Sequence, residues 1–156
     1  METDGERTQD HRRIIRVAWV ADGVFAATSI PYALGIESLE RASVAVDLTL
    51  FLVSLPVWVY AFLVAVGRTA RGDDIAVASL FFLQRSAPRS VRVSLLGALA
   101  VCLGVTALTA KSNPFGVLVP MLPLGLAGLW GALHGTYPPR PARSGGARRS
   151  HGRSGE

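Results

Sequence analysis

Charged residues are scarce in this chain of 156 residues, and that scarcity argues against a water-soluble domain. Only 17% of the residues are charged, whereas soluble domains usually carry about a quarter. Half of the residues are hydrophobic and cluster into long runs, and the mean hydropathy is +0.37. These features together predict an integral membrane protein.

Cysteine and histidine are also rare. A single cysteine, Cys102, lies inside an apolar run, which excludes an internal disulfide and a cysteine-based metal site. We expect Cys102 to behave as a small buried side chain. His11, His134 and His151 are far apart in the sequence, and no Walker A, G-x-S-x-G or HExxH motif occurs. The sequence therefore predicts a protein that is not an enzyme and needs no cofactor or metal.

Four apolar stretches are long enough to cross a hydrocarbon layer of about 30 Å at 1.5 Å per residue. Between the second and third lies a shorter segment at about 74–85, which predicts an interfacial helix or one wedged between spans. The prediction is an all-α fold, a bundle of four transmembrane helices within residues 14–135. The spans are expected at about 14–34, 42–67, 93–110 and 115–134.

Both ends of the chain are polar. Residues 1–13 carry charges of both signs and are expected to form a short, mostly disordered tail. Residues 136–156 are rich in proline, glycine, serine and arginine, with too few apolar side chains to form a core. We expect this C-terminal tail to be disordered and basic.

The basic residues predict the orientation in the membrane. For four spans, fourteen of the 16 lysines and arginines fall on one side, and the positive-inside rule makes that side cytoplasmic. Both termini are then cytoplasmic, in a bacterial plasma membrane. The other side holds only Arg41 and Lys111. The fourteen are Arg7, Arg12, Arg13, Arg16, Arg68, Arg71, Arg85, Arg89, Arg92, Arg140, Arg143, Arg148, Arg149 and Arg153.

A pI of about 10.3 is also typical of nucleic-acid-binding proteins. The arginines, however, lie where orientation alone requires them, and the C-terminal tail has no interleaved aromatic residues for base stacking. We therefore expect anionic lipids at the cytoplasmic face as partners, and no nucleic acid.

The first span has an alternative interpretation as a cleavable signal peptide, because it follows the basic segment HRR. Asp22 interrupts its apolar region, and no A-x-A cleavage site follows. An uncleaved membrane anchor is the better interpretation.

Two carboxylates, Asp22 and Asp47, fall inside predicted spans, and such residues are functional-site candidates by default. Counting along each span places Asp22 in the inner leaflet and Asp47 in the outer one, so a shared acid site is not expected. Arg92 and His134 are the candidate partners of Asp22. These groups either form a proton relay or ion path, or simply join helices through hydrogen bonds and ion pairs. For Asp47 the candidate partners are Lys111, Arg41 and Thr109.

The fourth span contains a series of small residues near one face. Small residues at helical spacing allow two helix backbones to approach closely. We expect this face to pack against a helix; the alternative is a substrate path. Its members are Gly125, Gly128, Gly131, Ala132 and Gly135.

The segments FFLQRSAPRSVR and LGLAGLWGALHGTYPPR resemble features of small four-helix membrane proteins from high-GC Gram-positive bacteria. The resemblance covers the second half of the chain. It implies a membrane location and four spans. That family has no assigned activity, so the resemblance implies no functional residues.

The leading functional hypothesis is a non-enzymatic accessory protein that contacts another membrane protein or a second copy of itself. The glycine-rich fourth span and the basic tail are the expected contact regions. The alternative is a small transporter or channel component that uses Asp22, Asp47 and His134. A weaker alternative, from small size and the basic tail, is a holin-like pore former.

Overall fold

The computed structural model describes residues 4–84 and 86–139, with side chains described from residue 12 onwards. The C-terminal tail beyond Pro139 lies outside the described residues, as do the predictions made for it. The described chain forms five α-helices: α1 (Asp4–Ala33), α2 (Glu40–Ala70), α3 (Val77–Phe81), α4 (Arg89–Thr109) and α5 (Met121–His134).

Four segments are long and apolar enough to cross a membrane: Arg12–Ala33, Glu37–Ala70, Arg89–Thr109 and Pro114–His134. No strand occurs within residues 4–84 and 86–139; the one extended pairing there is an isolated bridge between Asp73 and Pro139. The predicted all-α fold with four long helices is therefore confirmed.

The first helix begins earlier than expected. We predicted a mostly disordered tail over residues 1–13, but α1 is helical from Asp4. Once the apolar part of a helix has formed, each added residue contributes a hydrogen bond without a new nucleation cost. The polar segment therefore continues the span as a helix.

Glycines end both long helices of the first hairpin. Gly35 follows α1 with φ of +101°, and Gly72 follows α2 with φ of +107°. In each case the amide of the residue after the glycine donates a hydrogen bond to a carbonyl five residues earlier. Ile36 donates to Pro31, and Asp73 donates to Arg68. This is a Schellman ending, which requires a left-handed residue that glycine adopts without steric cost.

The fourth span is divided rather than continuous. A 3₁₀ segment, Pro114–Leu118, precedes α5, which begins after Pro120. Pro123 lies in the first turn of α5, where a proline removes no intrahelical hydrogen bond. Two prolines so close together in one span predict a bend, which here takes the form of a change of helix type.

The helices form a ring in the order α1, α2, α5, α4, with α3 packed against α5. The fourth span is 61% buried, against 17–28% for the other three, so α5 is the most enclosed helix of the bundle. We call the end with residues 34–39 and 110–113 the tight-turn end. The end with residues 71–88 and 135–139 is the long-loop end.

The long-loop end is more ordered than the sequence indicates. The helix expected at about 74–85 is the single turn α3, whose Leu80 and Phe81 are buried against α5. Residues 136–139, predicted as part of a disordered tail, pair with the loop: the Thr136 amide donates to Ser86, and the Asp74 amide donates to Pro138. These hydrogen bonds hold the start of the tail against the bundle.

Candidate functional site

Four polar side chains from three segments meet inside the tight-turn end. The hydroxyls of Ser29 on α1 and Ser43 on α2 are 3.1 Å apart and share a hydrogen bond. The Asn113 amide nitrogen donates to the Ser43 hydroxyl at 2.8 Å and to the Asp47 carboxylate at 2.5 Å. All four side chains are buried, so this chain of hydrogen bonds joins α1, α2 and the turn before the fourth span.

Asp47 is fully buried, yet its partners are not those that the sequence suggested. Arg41 and Lys111 are exposed, and the Thr109 hydroxyl donates to Val105 of its own helix. Asn113 instead binds one carboxylate oxygen, and the other has no hydrogen-bond partner among the described residues. Asp47 is therefore held by a neutral amide, and its described neighbours include no cation.

Asp22 is also buried, with 3% of its surface exposed. Neither of its carboxylate oxygens has a hydrogen-bond partner within the described part of the chain. The Cys102 thiol of α4 lies beside this carboxylate without completing a hydrogen bond of good geometry. Such a group is unusual, because buried polar atoms are almost always paired.

The two carboxylates lie closer in depth than predicted. Ser29 and Ser43 are level with each other; Asp22 is seven residues before Ser29, and Asp47 is four residues after Ser43. At 1.5 Å per residue the two acids differ in depth by only about 4.5 Å. Cys102 also lies near both carboxylates, so the two acids are closer to each other than the counting along each span predicted.

We define the buried polar cluster as seven side chains in this half of the bundle. Thr106 lies between its two parts, because it lies by Cys102 and donates to the carbonyl of Gly116. A Cβ added at Gly116 would lie 3.8 Å from an Asp47 carboxylate oxygen. Asp22 lies near the middle of its span Arg12–Ala33, about 15 Å from either end. The members are Asp22, Ser29, Ser43, Asp47, Cys102, Thr106 and Asn113.

The other half of the bundle is mostly apolar inside, although Ser54 of α2 is also fully buried there and donates to the Phe51 carbonyl. From Asp22 towards the long-loop end, the core consists mainly of aliphatic side chains with Trp130. The polar cluster thus extends from the tight-turn end to about mid-depth and stops there. The core cluster that closes the other half includes Ala18, Leu83, Leu95, Ala98, Leu122, Leu126 and Trp130.

Arg92 and His134 are not the hydrogen-bond partners of Asp22. Arg92 is half-buried in the first turn of α4, ten residues before Cys102 and therefore about 15 Å away along the helix. His134 ends α5 at the long-loop end, with its ring 5.5 Å from that of Trp130. Both were assigned to the depth of Asp22 because that acid was placed too near the inner surface.

The small-residue face of α5 packs inside the chain. A Cβ added at Gly125 would lie 2.7 Å from the Trp58 ring, and one added at Gly128 would overlap Phe81. Gly131 faces the Leu80 carbonyl, and Ala132 is also buried. Gly135 lies against the Tyr137 ring. The chain's own side chains thus cover the face that we expected to bind a partner.

A second polar group of residues closes the long-loop end. Arg68 forms an ion pair with Asp73 at 2.7 Å and donates to the Ala132 carbonyl at 3.0 Å. Its guanidinium lies 5.0 Å from the centre of the Tyr137 ring, and the Tyr137 hydroxyl donates to the Gly131 carbonyl. Burial raises the pKa of Tyr137, although Ser86 and Arg68 act in the opposite direction.

Asn113, Ser29 and Ser43 were not identified as site residues from the sequence. Asn113 lies in the turn before the fourth span, and its side chain accepts from the Phe115 amide, which caps the 3₁₀ segment. The same side chain also points into the bundle, which a turn motif alone does not indicate. The available signal was the spacing of Ser43 and Asp47, four residues apart and so on one face of a helix.

Within residues 4–84 and 86–139, no group of three histidine, cysteine or acidic side chains has a geometry that could hold a metal ion. Comparison of the chain with protein-family models, with curated proteins and with solved structures gives no match. The function must therefore be argued from the buried polar cluster itself.

Proposed function

We propose that this chain is a multi-pass protein of a bacterial plasma membrane in which Asp22 and Asp47 bind and release protons. It would act as a small, non-enzymatic component of proton-linked transport. The observation that carries the proposal is Asp22: a carboxyl group near the middle of an apolar span, buried, with neither oxygen hydrogen-bonded among the described residues.

Packing alone gives a poor account of Asp22. A structural carboxylate in a membrane helix is expected to have an arginine, a histidine or a polar side chain as partner. An isolated ionised carboxylate in a low-dielectric interior is very costly, so the group must carry a proton or meet water or a cation there. Proton binding is the chemistry that this environment allows.

The buried polar cluster supports proton access from one side. Hydrogen bonds connect Ser29, Ser43, Asn113 and Asp47. Thr106 and Cys102 lie between that group and Asp22, where the buried side chains of Phe25, Val105 and Val119 also pack, so a proton would need small side-chain motions to cover this last step. The apolar core around Leu95 and Leu122 closes the route to the other side. Release in that direction would require this core to repack, as in alternating access.

The proposed orientation places the tight-turn end outside the cell. The fourteen basic residues of one side, including the five in 68–92, would face the cytoplasm. The basic residues of that face would also attract anionic lipids. Protons would then enter from the outside, and Asp22 would receive them through the buried polar cluster.

Proton flux in proteoliposomes tests this function. An internal pH indicator would report acidification after a potential is imposed across vesicles containing the wild type, Asp22→Asn or Asp74→Asn. Asp74 is an exposed loop acid, so its variant is a matched control. We expect wild-type and Asp74→Asn flux well above that of protein-free vesicles, and at least a tenfold loss with Asp22→Asn. Wild-type flux equal to that of empty vesicles would refute the proposal.

A second candidate function is that of an accessory protein that contacts another membrane protein or a second copy of itself. An exposed face of α4 supports it. Ala100, Gly104 and Ala107 lie on one exposed face of α4, and a Cβ added at Gly104 would meet nothing within 4 Å. Such a face suits close helix association in membranes. Co-purification in mild detergent would test it, with Gly104→Leu compared with Gly67→Leu, since Gly67 is also exposed and without neighbours. The accessory function would be favoured if a stoichiometric partner or a dimer co-purifies with the wild type and with Gly67→Leu but is lost with Gly104→Leu.

A further inference from the structure

A long groove runs between α1 and α2 on the outside of the bundle. Val17, Val20 and Val24 of α1 form one wall, Leu50 and Val53 of α2 form the other, and Leu122 of α5 is the floor. The groove continues past Val24 and Leu50 towards the tight-turn end. Its walls are open to the membrane, with Val20 58% exposed.

Arg16 is the one charged residue that lines this groove, and it lies at the end nearer the long loop. Its side chain is exposed. Two turns of helix separate it from Val24, so the aliphatic walls extend about 12 Å beyond the guanidinium. A cation at the mouth of a narrow aliphatic groove matches a ligand with an anionic head and a hydrocarbon tail.

The shape of the groove suits a lipid chain, because it is a furrow between two adjacent helices with Leu122, 2% exposed, as its floor. A single acyl chain is much thinner than a helix and can follow the groove along α1.

The depth of Arg16 also fits a phospholipid. It lies six residues before Asp22, about 9 Å from the middle of the span. A long arginine side chain at this depth extends towards the membrane surface, where phosphate groups lie. The guanidinium can bind a phosphate through two parallel hydrogen bonds.

We propose that the α1–α2 groove is a specific site for an anionic phospholipid, with the phosphate on Arg16 and one acyl chain between Val20, Val24 and Leu50. This site is independent of the proton-binding function. It differs from general attraction to an anionic surface, because the acyl chain and the headgroup are recognised together.

Native mass spectrometry of the full chain in mild detergent tests the site, with dioleoyl phosphatidylglycerol and dioleoyl phosphatidylcholine as probes. We expect one phosphatidylglycerol to be retained at least tenfold more tightly than phosphatidylcholine. Arg16→Gln and the groove-filling Val24→Trp should each weaken that binding at least fivefold, and Val20→Trp serves as a second filling variant. Arg71→Gln, an exposed arginine at the long-loop end, should leave it unchanged.

Three results would overturn the site. Equal affinity for the two lipids, which both carry a phosphate, would exclude selection for an anionic headgroup. Phosphatidylglycerol binding unaffected by both filling variants would reduce the effect to surface charge. A wild-type dimer that becomes monomeric with Val24→Trp would place a second copy in the groove and would also overturn the proposal. Thermal unfolding of each variant would establish that the filled protein is folded.

Discussion

The side-chain amide of Asn113 donates a hydrogen bond to the carboxylate of Asp47, across 66 residues of sequence. The bond joins the turn before the fourth span to the second span and places a neutral donor beside a buried acid. A cation at this position would hold the carboxyl group in its ionised form, whereas a neutral amide orients the group and is compatible with both protonation states. The surroundings of Asp47 therefore suit a proton-binding group.

Removal of the Asn113 amide should destabilise the bundle. Asn113→Ala loses the bonds to Ser43 and Asp47 and the cap on Phe115. Because interhelical hydrogen bonds in membranes contribute roughly 0.6 kcal/mol each, we expect a loss of about 1.5 kcal/mol in the free energy of unfolding. Thr49→Ala, which removes one exposed bond within α2, should change it by less than about 0.5 kcal/mol. Reversible unfolding in mixed micelles measures both, and equal effects would count against the buried network.

A side chain at Gly128 should be poorly tolerated. An added Cβ would overlap the Phe81 ring, so Gly128→Ala should cost about 1–3 kcal/mol of stability. Gly104→Ala has open space and should be neutral or stabilising, because alanine favours helix by up to about 1 kcal/mol. Adding Phe81→Leu should make the cost of Gly128→Ala smaller, as expected for residues in contact. If the stability losses of Gly128→Ala and Phe81→Leu simply add in the double variant, the Phe81 ring is not what excludes a side chain at Gly128.

The stability of the long-loop end should fall at high pH because of Tyr137. Burial raises the pKa of its hydroxyl, so the folded state disfavours the phenolate. This stability is fully present below the unfolded pKa of about 10 and is lost as pH rises through the higher folded pKa. In Tyr137→Phe the decrease in stability at alkaline pH should be smaller than in the wild type. Thermal unfolding of both proteins between pH 8 and 11 would measure it. An identical decrease in both proteins would assign it to other groups.

The lone cysteine is a built-in probe of access to the buried polar cluster. Cys102 is fully buried beside Asp22, so small ions that reach Asp22 also reach the thiol. We expect Ag⁺, a small thiol-reactive cation, to block later alkylation of Cys102 when added at the tight-turn side of oriented vesicles. Addition at the long-loop side should leave the thiol free, because the apolar core intervenes. Equal protection from both sides would contradict one-sided access.

The span pattern could be predicted because each span is a continuous apolar run. The predictions of disorder were wrong for residues 4–13 and for residues 136–139. Residues 4–13 are helical because the helix propagates cooperatively from the apolar part of α1. Residues 136–139 are ordered because their backbone pairs with the loop, which is a tertiary effect. Neither effect can be predicted from the polarity of the segment alone. The prolines 120 and 123 indicated a bend, but not that the segment before them would be a 3₁₀ helix.

The candidate site was predicted less well than the fold. Asp22 and Asp47 were identified from their presence in apolar spans, but their partners depend on the register between helices. The Ser29–Ser43 contact sets that register, and no periodicity within a single helix reveals it. Counting along one helix does not fix which residue of a neighbouring helix lies beside Asp22, so it was assigned Arg92 and His134 instead of Cys102.

The central claim is that Asp22 exchanges its proton with the tight-turn side of the membrane. Infrared difference spectroscopy of oriented vesicles tests it most directly, by following the carbonyl stretch of protonated carboxylic acids after a pH jump on one side. We predict a band that is absent in Asp22→Asn, persists in Asp74→Asn, and responds to the pH at the tight-turn side only. A spectrum in which no carboxylic acid band depends on Asp22, or in which that band ignores the pH on both sides, would contradict the claim.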